Sequence, residues 1–273
     1  MFFSNRIRLF WWNEKKIQGK SKENYGDLLG KYLVEKISKK KAVWSKPSQF
    51  CISNIWSHIY VTIGSILPHV NKNCIVWGSG IISKQDAIKN AEFLAVRGPQ
   101  TRKFLLQKGY NVPEVYGDPA LLLPKYYNSK VKKTYKIGLV PHYSDYKMLE
   151  LFYKEDPDIL LISLMTNDIE KTTDNFLKCE RVVSSSLHGI IVSHAYGIPS
   201  VWQKFSNNVF GDDIKYQDYF ESVSITPYTP EIIDKKMVLK DFLHLFEDKQ
   251  TLPKEGVIEQ LCSTLMEVCP FKS

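Results

Sequence analysis

Along the chain, short apolar runs alternate with longer stretches in which apolar residues recur every three or four positions. The first pattern marks strands and the second amphipathic helices, so the alternation predicts an α/β fold. A first strand is expected at Arg6–Trp12 and a helix at Asp27–Ser38, where Leu28, Leu29, Tyr32, Leu33 and Ile37 form one stripe with lysines opposite. Further strands are expected near Cys51 and at Ile59–Ile63, Cys74–Trp77 and Phe93–Val96. Pro99–Lys108 reads as a helix, with Pro99 near its first position and Gly109 just past its end.

The stretch Pro124–Lys136 is polar, lysine-rich and without period, so it reads as a linker. Beyond it the alternation restarts, with strands at Ile137–Val140, Ile159–Ser163, Arg181–Ser184 and Ser200–Trp202. Helices are expected between them at Asp145–Tyr153, Asp168–Lys178 and His188–Tyr196, and two more in the tail. The last carries Val257, Ile258, Leu261, Cys262, Leu265 and Met266 on a stripe that needs a partner surface. Two successive units of this kind predict two Rossmann-like domains, 1–128 and 129–273, facing a cleft. In open parallel sheets ligands sit at the carboxyl ends of the strands, beside helix N-termini.

At 273 residues and 44% apolar, the chain can bury a sizeable core. No apolar run approaches the roughly 18 residues of a membrane span. The aromatic N-terminus is interrupted by Arg6 and Arg8, so no signal peptide is expected. Five cysteines, at 51, 74, 179, 262 and 269, form no C-x-x-C pair and leave an odd count, which suits a reducing, cytoplasmic setting rather than a disulfide framework. The net charge of +8 lies entirely in residues 1–46, with 12 basic and 4 acidic side chains; the rest is balanced. Such a face suits anionic lipid, an anionic substrate or nucleic acid, or is simply a solvated lysine-rich surface. Trp11, Trp12, Tyr25 and Tyr32 lie among the lysines but on apolar stripes, so core packing accounts for them better than base stacking. No nucleic-acid partner is expected.

Four strand-to-helix turns are candidates for chemistry. Asn24-Tyr25-Gly26-Asp27 opens the first long helix, either as a plain N-cap or as a loop whose glycine admits a ligand. Trp77-Gly78-Ser79-Gly80 can bare backbone N–H groups to an anion, although a lone G-x-G is weak. In Val96-Arg97-Gly98-Pro99 an arginine ends a strand just before a helix, where two positive influences converge on one anion; the alternative is an arginine paired with a carboxylate. Ser184-Ser185-Ser186-Leu187-His188-Gly189 sets hydroxyls and a histidine at the mouth of an apolar helix, with His188 either a structural donor or an acid/base group. His194 falls on another face, so no metal pair forms and no metal is expected.

Taken in order, these turns resemble the polysaccharide pyruvyl transferase family. The resemblance also draws on Ile63-Gly64-Ser65, Tyr116-Gly117-Asp118-Pro119, Val140-Pro141-His142-Tyr143, Gly197-Ile198-Pro199 and Lys215-Tyr216-Gln217-Asp218-Tyr219. It implies a fold like that of GT-B glycosyltransferases and transfer of pyruvyl from phosphoenolpyruvate to a cell-surface glycan, often lipid-linked, with a cyclic ketal formed and phosphate released. No cofactor is implied beyond phosphoenolpyruvate as donor. Arg97 matches the family's donor-binding arginine. The family's Arg-Leu-His triplet reads Ser186-Leu187-His188 here, so another cation must supply the second charge, with Lys215, Arg102 and Arg181 as candidates. His188 is then the acid, Asp27 or His142 the group that activates a hydroxyl, and Asn24, Gly26, Ser79, Ser185, Ser186 and Leu187 line the substrate. The basic N-terminal face would lean on anionic lipid at the inner side of the plasma membrane. The competing reading is a GT-B glycosyltransferase using a nucleotide-sugar, for which Glu231 stands alone where a pair of spaced glutamates would hold a ribose.

Overall fold

The computed structural model describes residues 5–49, 57–208, 211–233 and 235–272. Its strands are β1 (Arg6–Phe10), β2 (Glu23–Asn24), β3 (Lys41–Trp44), β4 (Ile59–Val61), β5 (Cys74–Trp77), β6 (Glu92–Ala95), β7 (Tyr135–Val140), β8 (Ile159–Leu161), β9 (Met165–Thr166), β10 (Cys179–Ser184) and β11 (Ser200–Trp202). Its α-helices are α1 (Glu14–Gln18), α2 (Tyr25–Ser38), α3 (Pro99–Gln107), α4 (Leu123–Tyr126), α5 (Tyr146–Tyr153), α6 (Ile169–Leu177), α7 (Leu187–Ala195), α8 (Ile214–Ser222), α9 (Leu239–His244) and α10 (Val257–Glu267).

The strands build two parallel Rossmann-like sheets, ordered β3-β1-β4-β5-β6 and β11-β10-β7-β8. In each, the strand order reverses beside the first strand, between β1 and β4 and between β7 and β10. Adjacent crossovers leave on opposite faces there, and the carboxyl ends splay into a crevice. All four residues of β5 are buried, the unbroken apolar pattern of an inner parallel strand.

Several boundaries differ from expectation for local reasons. The first strand stops at Phe10 because Asn13 caps α1, a helix the pattern did not predict, by accepting from the Lys16 N–H at 2.7 Å. The strand expected near Cys51 lies outside the described residues. β3 was not predicted: four residues at a sheet edge, led by an exposed lysine, carry almost no apolar signal. Within the expected linker, Pro124 sits inside α4, and the next residue beyond that helix, Tyr127, donates to Asp174 at 2.8 Å.

The two sheets share one continuous apolar cluster in which Leu9, Leu29 and Leu33 meet Phe176, Val182 and Ile190. Tyr25, fully buried, stacks on Phe176 at 5.7 Å, and its hydroxyl is bonded to Thr173 at 2.7 Å. β2 and β9 pair antiparallel, Glu23 with Thr166 and Asn24 with Met165, tying the two halves. The stripe on α10 packs on the segment after β6, with Leu265 and Leu261 against Gly117 and Cys262 Sγ 3.5 Å from the Leu121 carbonyl. Trp77 of β5 also donates its indole N–H to the Leu265 carbonyl at 2.9 Å, and beyond the helix the Phe271 ring lies 4.8 Å from Tyr60.

Candidate active site

The first wall of the crevice is the opening turn of α2. Asn24 accepts from the Gly26 N–H at 2.9 Å, so its side chain is spent as the cap. A β-carbon placed on Gly26 would run into the imidazole of His188, closest at Nδ1. Glycine is therefore required because the His188 ring lies against that backbone. Asp27 follows, facing Gly64. Burial, reinforced by the Glu14 and Glu23 carboxylates, pushes the Asp27 carboxyl well above the usual range, while Lys215 and Lys20 pull it back.

The turns after β5 and β6 are bound to one another. Ser79, fully buried, donates to the Gly64 carbonyl at 2.7 Å. Arg97, only 1% exposed, gives Nε to Asp218 at 2.9 Å, Nη1 to Ser65 at 2.6 Å and Nη2 to the Ile81 carbonyl at 2.8 Å. Asp218, itself fully buried, also accepts from the Thr101 N–H at 2.8 Å and hydroxyl at 2.7 Å. This buried ion pair fastens α8 to the first sheet.

The second wall is formed by the ends of β7 and β10. The His142 N–H donates to the Ser185 hydroxyl at 2.8 Å, and the Ser185 carbonyl accepts from Tyr216 at 2.8 Å, so Ser185 locks this turn. Ser186, half-buried, is the N-cap residue of α7, and Leu187 is packed in the core. His142 bonds Ser144 through Nδ1 at 2.8 Å. Burial and the nearby Lys215 lower its pKa to about 4, so it is neutral at pH 7 and free to accept a proton. Lys215, on the first turn of α8, is lowered to about 8 by burial and by the charge of Arg97, and feels both Asp213 and Asp27.

His188 completes the arrangement. Its Nε2 lies 3.6 Å from Oδ2 of Asp118, which is 1% exposed, and neither atom has a hydrogen bond within the protein. Asp145 Oδ2 is likewise buried without a hydrogen bond, whereas Lys20 Nζ and Glu14 Oε2 are buried as an ion pair at 2.8 Å. Polar groups left unsatisfied in this way cost stability unless something else uses them. The facing pair of Asp118 Oδ2 and His188 Nε2 makes this end of the sheets the candidate site. Among the described residues no three His, Cys, Asp or Glu side chains converge as a metal cage.

The model of the polysaccharide pyruvyl transferase family matches residues 24–202, from the cap of α2 to the end of β11. The chain belongs to the polysaccharide pyruvyl transferase family. It is also similar to an uncharacterized protein of Acanthamoeba polyphaga mimivirus, 33% identical over 209 residues, which are 74% of this chain and 71% of that one. The family's pyruvyl-transfer role fits a crevice holding two histidines, a buried carboxyl and a lysine of lowered pKa.

Of the family-type residues expected from sequence, His188, Gly26, Asp27, His142 and Lys215 are brought together. Asn24, Ser79, Ser185, Leu187 and Arg97 form the frame around them, their polar atoms largely engaged within the protein. Glu231 is exposed, and its backbone carbonyl accepts from Gln203 at 2.5 Å. Arg181 is likewise part-exposed beside Glu180, and Arg102 beside Glu114, each ion pair at 3.8 Å. Three residues were given no role by sequence reasoning. Asp118, named there only within Tyr116-Gly117-Asp118-Pro119, caps that turn by accepting from the Ala120 N–H at 2.9 Å. Lys20 lies in an unpredicted loop, 2.8 Å from Glu14 and 4.1 Å from the centre of the Tyr143 ring. Asp145 is 2% exposed and accepts from Ser206 at 2.6 Å.

Proposed function

We propose that the protein transfers pyruvyl from phosphoenolpyruvate to two hydroxyls of a sugar in a cell-surface glycan or its lipid-linked precursor, with no cofactor. The observation supporting this reading is that His188 and Lys215 both border the first turn of α2. The ring of one lies on Gly26, and the ammonium of the other acts on Asp27. One sugar hydroxyl adds to C2 of phosphoenolpyruvate while C3 gains a proton and becomes a methyl. The second hydroxyl then displaces phosphate from C2, and its proton departs with the phosphate, closing the ketal.

His188 delivers the proton to C3. Asp27, whose carboxyl burial raises well above its ordinary range, or His142, neutral at pH 7, accepts the hydroxyl proton. Lys215, with Lys20, offers cationic charge to the donor in place of the arginine that Ser186 replaces. Arg97 acts from behind, as a buried charge that holds the wall. In this reading residues 1–128 and 129–273 are the two units of a GT-B-like enzyme. The exposed Lys15, Lys16, Lys22, Lys39, Lys40 and Lys41 face anionic lipid on the inner side of the membrane, and equal flotation with anionic and neutral vesicles would exclude that contact.

Thermal melting with millimolar phosphoenolpyruvate, UDP-sugars or phosphate tests the donor. A ligand at a hundredfold its Kd adds about 2.7 kcal/mol. That raises the midpoint by roughly 5–11 °C for a chain of this size. A shift specific to phosphoenolpyruvate is expected. A shift with a UDP-sugar and none with phosphoenolpyruvate would replace this reading with nucleotide-sugar transfer.

A further inference from the structure

We infer that Asp118 is the positioning residue of this site: its buried carboxylate holds the His188 imidazole by Nε2, fixing the tautomer and leaving the Nδ1 edge to exchange protons with substrate. The role deepens the pyruvyl-transfer reading and rests on it. Three observations carry it. Asp118 Oδ2 and His188 Nε2 face each other at 3.6 Å, and both are buried without any other hydrogen-bond partner. The second carboxylate oxygen, Oδ1, is anchored by the Ala120 N–H at 2.9 Å, so the carboxylate cannot swing away from the ring without losing its cap. The opposite edge of the ring, at Nδ1, lies against Gly26 at the open end of α2, where a side chain has been dispensed with.

The two ring nitrogens therefore sit in different surroundings. A buried carboxylate on one side selects the N–H form of Nε2, because a bare nitrogen facing it would place two acceptors together. Nδ1 is then the lone-pair nitrogen in the neutral ring and the proton donor in the charged one. Catalytic hydrogen bonds are often long before substrate binds, and a separation of 3.6 Å closes with a small ring rotation. The charged group that faces the ring is Asp118, while Asp27 follows Gly26 in the chain and faces Gly64.

Asp118→Asn keeps the oxygen that caps the Ala120 N–H and has the same shape, so it separates the charge from the turn. Two readouts decide the matter. In protein labelled with ¹⁵N-histidine, with His188→Gln used to assign the signal, the unmodified protein should show a protonated Nε2 and a bare Nδ1 in the neutral His188 ring. Asp118→Asn should mix the tautomers. Turnover should fall by roughly 10²–10⁴, the range ascribed to a displaced general acid, with KM for phosphoenolpyruvate changed by less than about threefold. A merely structural role would lower the melting temperature and leave the tautomer alone. The inference is overturned if the unmodified ring carries its proton on Nδ1, a measurement that needs no folded variant, or if Asp118→Asn keeps both tautomer and turnover. If Asp118 governs the tautomer but neither protein consumes phosphoenolpyruvate, the pair stands and the pyruvyl-transfer reading falls.

Discussion

Replacing Arg97 with alanine should unfold the protein more readily before it does anything to the chemistry. The guanidinium is 1% exposed and makes three hydrogen bonds, to Asp218 at 2.9 Å, Ser65 at 2.6 Å and the Ile81 carbonyl at 2.8 Å. Truncation strands the Asp218 carboxylate in an interior where it is fully buried. Breaking a buried ion pair from one side costs about 3–5 kcal/mol, much of it the uncompensated charge left behind. Asp218 keeps two bonds from Thr101, at 2.8 and 2.7 Å, so the lower end applies. At about 3 kcal/mol, the midpoint of thermal unfolding should drop by roughly 6–12 °C. Urea titration of Arg97→Ala, Asp218→Asn and the double variant measures the coupling directly, and the double variant should lose less than the sum of the singles. A melting temperature within about 2 °C of the parent, together with lost affinity for phosphoenolpyruvate, would refute this reasoning and make Arg97 a donor ligand.

Three more outcomes follow from the same geometry. Gly26→Ala puts a methyl into the His188 ring and should cost turnover on the order of 10²-fold, as a displacement of about 1 Å does; steady-state kinetics within about threefold of the parent would contradict it. Lys215 loses its proton near pH 8, so phosphoenolpyruvate should bind up to about 10-fold more weakly at pH 9 than at pH 7, the largest effect one group of that pKa can have across those two pH units. Calorimetry on Lys215→Met should show that pH dependence gone, and its persistence would assign it elsewhere. His194, 1% exposed and held by Tyr219 at 3.0 Å and the Thr251 carbonyl at 3.1 Å, has its pKa lowered to about 4 by burial. The unfolded chain protonates first, so stability is full above pH 6.5 and drains towards pH 4 by roughly 3 kcal/mol. His142 adds a slope of the same sign, and a melting temperature flat from pH 7 to pH 4.5 would exclude both.

The parallel α/β framework was legible because buried parallel strands are written as unbroken apolar runs such as Cys74–Trp77 and Ile137–Val140, and helices as apolar stripes closed by caps. The family motifs and His188 were legible for the same reason: they stand at strand ends, where a polar residue interrupts that pattern. Lys41–Trp44 and Glu14–Gln18 were not, since elements of four and five residues hold too few positions to show a period. Which partners each motif residue has was decided only in three dimensions. A sequence lists Arg97 and Asp218 far apart, and nothing local tells a guanidinium that reaches a ligand from one consumed by a buried carboxylate. Asp118 stood in the sequence only as part of a motif without a role, because its cap is local whereas its approach to His188 joins distant parts of the chain. The stripe on α10 announced that a partner must exist, and only the fold named the segment around Gly117 and Leu121 as that partner, because burial fixes how much apolar surface is covered and topology fixes by what.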